Sequence, residues 1–354
     1  MVKPLPVLFM ILSAAGSCDR ETKVSVNDEP TTDALPVPEP FPALVTINGD
    51  AGYTNNREVT LFLDAQGPKT MYISQVGCSS GGVWEPFIEH KTLSLDVESD
   101  GEVRVYALYK NEKNFASQCA SDSIIFDSTP PSPPSDISAS VTSPTNQQNI
   151  TVTGKVPEEN PSVRIFSDAA CQQALGTVDG GPFQESGLQI SLTKEASNTL
   201  YLYTFDEAGN TSECTSGPVM VHDSISPSIT SISFVSDQTT YGTGDRISIV
   251  IKFNEDLKIT GAPILKLGFI NGTGEAAYNA DADDDPSQMT FEYTVTATDQ
   301  ASELDVASEN ALSIPDGAAI TDLAQNAATV SLPIAGDDDA LSTKTKVYVN
   351  TTAN

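Results

Sequence analysis

The chain reads as all-β: three tandem antiparallel β-sandwiches that follow a short export segment and a polar tether. Short apolar runs alternate with period two and are separated by turn residues at roughly 8- to 12-residue spacing, the pattern of strands with one buried face. No segment carries a long amphipathic helix at 3.6-residue spacing. Composition agrees: hydrophobic residues make up 39% and aromatics only 7%, with 23 Gly and 23 Pro to punctuate turns.

Charge excludes one class of partner. Lys plus Arg number 18 against 48 Asp plus Glu, a net charge of −30, so polyanions are repelled and nucleic acid is not a partner. The same charge keeps an exposed protein soluble.

Residues 1–18 have the layout of an export signal: Lys3, an apolar core at 5–12 (LPVLFMIL) and small residues at 13–17. That core is too short to span a bilayer. Ala15-Gly16-Ser17-Cys18 resembles a bacterial lipoprotein cleavage box, which implies that Cys18 becomes the acylated first residue of the mature chain. Acyl chains at Cys18 contribute about 0.8 kcal/mol per buried CH2 and would anchor the chain to a membrane. Residues 19–41 are acidic and Pro-rich without apolar periodicity, and read as an extended linker.

Three units follow, at 42–128, 129–224 and 225–354, and the first two are related. Met71-Tyr72-Ile73-Ser74 precedes Cys78 as Val163-Arg164-Ile165-Phe166-Ser167 precedes Cys171, and Asn114 to Cys119 matches Asn210 to Cys214. Each of the two closes on Asp-Ser and a proline step, at Asp127-Ser128-Thr129-Pro130 and Asp223-Ser224-Ile225-Ser226-Pro227. Repeats this long are whole domains. In the first, Val103, Val105 and Ala107 alternate with Arg104, Tyr106 and Leu108. In the third, Ile247, Ile249, Ile251 and Phe253 share a face, as do Leu265, Leu267 and Phe269, and Phe291, Tyr293 and Val295.

On these residues the chain resembles bacterial immunoglobulin-like (Ig-like) domains of extracellular repeat and adhesin proteins. The first unit shows it in Tyr53-Thr54-Asn55, Gly82-Val83-Trp84-Glu85-Pro86-Phe87 and Tyr106-Ala107, and the second in Asp206-Glu207-Ala208-Gly209-Asn210. The third is similar to another Ig-like repeat, in Tyr241 to Ile247, Phe253-Asn254-Glu255, Ile259 to Pro263, Phe291 to Val295 and Asp322-Leu323-Ala324-Gln325-Asn326. The resemblance spans about residues 42–350 and implies fold far more than function. Gln325 stands where the turn usually has Gly, and Cys78 is too near Trp84 for an antibody-type core disulfide.

Four cysteines beyond Cys18 allow three pairings, and an exported protein is expected to oxidise them. The repeat selects one. Cys78 and Cys171 are equivalent, as are Cys119 and Cys214, so the expected bridges are Cys78–Cys119 and Cys171–Cys214, each inside its own domain and pinning loops.

Candidate sites are few. Asp281, Asp283, Asp284 and Asp285 are the densest acid cluster, and Glu292 stands at the twelfth position of a calcium loop begun at Asp281. Pro286 occupies the position that needs Gly, and Glu292 falls in an alternating strand, so a solvated hairpin loop is the better reading and calcium the sharper one. Asp337-Asp338-Asp339 reads as a solvated turn. The Asp206–Asn210 and Asp322–Asn326 segments read as turns that also offer oxygens to a cation between domains. Trp84, with Phe87 and Tyr72, is a core aromatic or a sugar-stacking platform. His90 and His222 sit in no nucleophile, zinc or phosphate-loop motif, so no enzyme is expected.

The expected function is therefore that of a non-catalytic, lipid-anchored protein of the bacterial cell envelope, at the outer membrane or cell surface. Its tandem Ig-like domains would serve adhesion or recognition of a protein or glycan ligand. The alternatives are an architectural spacer, an accessory subunit of a surface assembly, or a carbohydrate-binding module.

Overall fold

The computed structural model describes residues 39–157, 161–283 and 285–351. Cys18, Asp284 and most of the linker lie outside these residues.

In the first domain, Val59, Leu61 and Leu63 alternate on one strand and Val103, Val105, Ala107 and Tyr109 on another, so two sheets form and close over their shared apolar face. Its strands are β1 (Ala43–Ile47), β2 (Tyr53–Thr54), β3 (Glu58–Ala65), β4 (Pro68–Ser74), β5 (Val83–Pro86), β6 (His90–Ser94), β7 (Gly101–Asn111) and β8 (Ala120–Phe126). One sheet runs β1-β3-β6 and the other β2-β8-β7-β4-β5, with β2 parallel to β8. This is an Ig-like sandwich. Each fully buried Leu or Ile stabilises it by about 1.5–3 kcal/mol. The Tyr109 hydroxyl donates to the Leu44 carbonyl at 2.7 Å, tying the two sheets, and burial pushes that phenol well above its usual range.

The second domain repeats the arrangement. Strands β9 (Ser135–Ala139), β10 (Asn149–Lys155), β11 (Ser162–Phe166), β12 (Ala174–Val178), β13 (Leu188–Ser191), β14 (Ala196–Phe205) and β15 (Thr215–His222) form sheets β13-β10-β9 and β12-β11-β14-β15. A short helix, α1 (Gly180–Glu185), seats Phe183 in the core. The parallel pairing of β2 with β8 survives here as a single bridge, Thr145 with His222.

Both domains carry their disulfide, Cys78–Cys119 and Cys171–Cys214, with Cα atoms 6.0 and 6.3 Å apart. Each links the loop after β4 or β11 to the residue just before β8 or β15. Because β7 lies between β4 and β8, the first bridge passes over that strand, its Cys78 Sγ 3.7 Å from the Ala107 carbonyl. None of the four cysteines belongs to a core cluster.

The third domain is laid out differently. Strands β16 (Ile229–Phe234), β17 (Thr240–Tyr241), β18 (Arg246–Phe253), β19 (Lys258–Thr260), β20 (Ile264–Phe269), β21 (Gly272–Tyr278), β22 (Gln288–Thr294), β23 (Gln300–Ala301), β24 (Asp305–Val306), β25 (Leu312–Ser313), β26 (Ala319–Thr321) and β27 (Tyr348–Asn350) accompany a one-turn helix, α2 (Leu341–Lys344). The main sheet runs β16-β18-β22-β21-β20-β24, with β25 also on β20. The opposing layer is broken into β17-β27-β23 and β19-β26. Its core, from Ile232 to Val349, is the largest of the three and contains the alternating Ile247, Ile249, Ile251, Leu265, Leu267, Phe291 and Tyr293.

Candidate functional site

One turn recurs in all three domains. The bridges Lys110–Ala116, Phe205–Thr211 and Thr321–Ala327 close it after β7, β14 and β26, which makes Asn111, Asp206 and Asp322 equivalent first residues and Phe115, Asn210 and Asn326 equivalent fifth residues. The fourth residue is left-handed each time, Asn114 at φ 63°, Gly209 at 90° and Gln325 at 75°, so Asn114 corresponds to Gly209 and not, as the sequence match pairs it, to Asn210. Glycine carries no steric penalty there, whereas Gln325 does.

In the second and third domains this turn reaches the preceding domain. The Asn210 backbone N–H donates to Asp206 Oδ1 at 2.8 Å, while its Nδ2 donates to Asp206 Oδ2 at 3.0 Å and to the Asp127 carbonyl at 2.8 Å. Asn326 repeats this with Asp322 Oδ1 at 2.8 Å, Asp322 Oδ2 at 2.7 Å and the Asp223 carbonyl at 2.9 Å. Both asparagines are buried.

At the second junction Glu255 adds a third acid. One carboxylate oxygen each from Asp223, Glu255 and Asp322 lie within 4.8 Å of one another, and Asp322 is buried. Burial first, then the charges of Asp223 and Asp322, push the Glu255 carboxyl above its ordinary value. Among the described residues this is the group with the donor set of a hard divalent cation, oxygen ligands of concentrated negative charge. Asp322 stood out in the sequence as part of a turn; its approach to Asp223 and Glu255, 99 and 67 positions away by subtraction, depends on how the two domains meet.

The acid loop of the third domain is arranged otherwise. Asp281 is exposed, Asp283 Oδ2 accepts the Tyr278 hydroxyl at 2.9 Å, and Asp285 Oδ1 accepts the Ser287 N–H at 2.9 Å and hydroxyl at 2.8 Å. Those Ser287 hydrogen bonds hold the Asp285 carboxyl below its usual value. Asp281, Asp283 and Asp285 do not converge into a common three-ligand group, and Glu292 lies on β22 with Arg246 at 3.7 Å. Asp337 accepts the Ile334 N–H at 2.9 Å and Asp339 pairs with Lys344 at 3.0 Å, in an exposed turn.

Trp84 is 37% exposed on the edge strand β5. Its ring lies 5.5 Å from that of Tyr72, which is buried, and Lys110 Nζ sits 4.2 Å from the indole centroid. A sugar stacking on that face meets the ammonium first. His90 is exposed against Phe62, with ring centroids 5.5 Å apart, whereas His222 is buried with Nδ1 accepting the Glu195 N–H at 3.2 Å. The two histidines stand in different domains. A groove of about 630 Å³ at one end of the first domain is lined by Phe41, Phe115, Lys69 and Lys113.

No family model and no curated protein matches the chain. Solved structures similar to it include the fibronectin(III)-like modules of Clostridium thermocellum CbhA, at 10% identity over 51% of this chain and 94% of that one, TM-score 0.36. The FN1–FN3 domains of chicken CNTN1 match at 11% identity over 80% and 99%, TM-score 0.23, and the human OSCAR ligand-binding domain at 16% over 52% and 100%, TM-score 0.26. At such values the assignment to Ig-like sandwiches rests on the strand order of this chain itself.

Proposed function

We propose that this chain is a non-catalytic, lipid-anchored protein of the bacterial cell envelope whose tandem Ig-like domains serve adhesion or recognition at the cell surface. The observation that carries the reading is the disulfide in each of the two sibling sandwiches, because such bridges persist in oxidising compartments and are rare in the cytosol. Among the described residues no helix is long and apolar enough to cross a membrane. Attachment is assigned to acylated Cys18 on the lipoprotein-like stretch Ala15-Gly16-Ser17-Cys18, and the ligand to an unidentified protein or glycan. For the Asp281–Asp285 loop a solvated hairpin is the reading kept and calcium the alternative; calorimetric titration with calcium decides between them, a flat trace leaving the solvated loop. Metabolic labelling with a palmitate analogue tests the anchor: label on the native chain and none on Cys18→Ala is expected, and an unlabelled native chain overturns it.

A second reading, an architectural spacer, is favoured by the asparagine contacts at both domain junctions. A spacer works by keeping its length and direction.

A further inference from the structure

The two linkers between sandwiches are gripped from both sides by the same set of contacts. On the side of the preceding domain, an acid just before β7 or β14 holds the linker serine. Asp100 Oδ1 accepts the Ser128 N–H at 2.9 Å and its hydroxyl at 2.8 Å, and Asp100 Oδ2 accepts the Thr129 hydroxyl at 2.6 Å. At the second linker, Glu195 Oε1 accepts the Ser224 N–H at 3.3 Å and its hydroxyl at 2.6 Å. On the side of the following domain, Asn210 and Asn326 hold the carbonyls of Asp127 and Asp223, the residues just before those serines. The linker aspartates close the motif by accepting the N–H two residues on, Asp127 from Thr129 at 2.9 Å and Asp223 from Ile225 at 3.0 Å.

The first domain supplies an internal control. Its turn has the same backbone bonds and the same left-handed fourth residue, yet the fifth residue is Phe115, which has no side-chain donor, and the described residues that enter this domain are linker residues 39–41. The turn is thus shared by all three domains, whereas the asparagine occurs at the two turns that touch a preceding sandwich among the described residues.

We propose that the fifth-position asparagine and the opposing Asp100 or Glu195 form a two-sided clasp on the linker Asp-Ser pair that fixes the angle between successive sandwiches, so that the three domains present as one stiff body. Relative motion is the ordinary expectation for domains joined by a short polar linker. The clasp opposes it by satisfying linker backbone groups from two directions.

Electron–electron distance measurements on the full chain, with spin labels on non-cysteine handles in adjacent domains, test this. The native chain is expected to give one narrow distance distribution across each junction. Asn326→Ala should lose the narrow peak between domains two and three and leave that between one and two intact; Asn210→Ala should do the converse, and Phe115→Asn neither. Because Asn326 also closes its own turn, Glu195→Ala serves as the independent variant: it leaves the third domain untouched and should lose the same peak as Asn326→Ala. A broad distribution in the native chain, or narrow peaks that survive both Asn326→Ala and Glu195→Ala, would overturn the proposal.

Discussion

In the first two domains a disulfide straps the outside of the larger sheet, while the cysteine-free third domain ties its C-terminal segment from within. There Asp305, buried on β24, accepts both the backbone N–H and the hydroxyl of Ser342 on α2, bringing the last helix onto the core. The core that receives it is also the largest of the three. A sandwich with less apolar surface to bury gains most from a covalent limit on its unfolded state, whereas one with more is held by burial and one satisfied carboxylate.

The largest expected effect breaks that comparison directly. Replacing Cys171 and Cys214 by Ser opens a loop of 43 residues and should cost the second domain about 4 kcal/mol in the chain-entropy account. Calorimetry under reducing conditions should therefore lower the melting of domains one and two and leave the third unchanged; equal loss in all three would remove the distinction. Next in size, Ser342→Ala leaves the buried Asp305 carboxylate short of a donor and should destabilise the third domain by about 2 kcal/mol, read by denaturant unfolding. A smaller gain is expected from Gln325→Gly, about 0.5 kcal/mol, since glycine relieves the left-handed residue but loosens the unfolded chain.

The smallest effects come from acid and separate the two junctions. Hydrogen bonds from Thr129 and Ser128 lower the Asp100 carboxyl, and those from Ser224 lower Glu195. Carboxyls depressed in the folded state contribute fully above their unfolded values and lose that contribution as pH falls through the depressed ones. Glu255 has the opposite sign: raised by burial and by Asp223 and Asp322, it favours the folded form at acid pH and loses that advantage as pH rises through its elevated value. Lowering the pH from neutrality should first tighten the second junction and then release it, while the first, among the described residues, shows release alone. Carboxyl NMR titration reads both, and identical profiles at the two junctions would contradict the assignment.

Much of this architecture was legible in the residues. Alternation at Ile247–Phe253 and Val103–Ala107 marked real strands, and the repeat of Cys78 and Cys119 in Cys171 and Cys214 named the bridges now seen. Two features were not. The order of the third domain's main sheet depends on β20 pairing with β24 and β25, two segments of only two residues each, too short to show a period. The clasp joins residues as distant as Asn210 and Asp127, and Asp100 and Glu195 carry no local signal, because a lone acid before a strand looks like any solvated turn. Trp84 also needed the structure, since only its cross-strand partner Tyr72 and Lys110, two strands away on β7, reveal what covers its ring.

The central claim, an exported protein that displays its sandwiches from the envelope, is tested most directly by protease treatment of intact cells that produce the full chain. Cleavage of the domains from unbroken cells, with cytoplasmic markers untouched, is the predicted result. A chain fully protected on intact cells and cut only after lysis would contradict it.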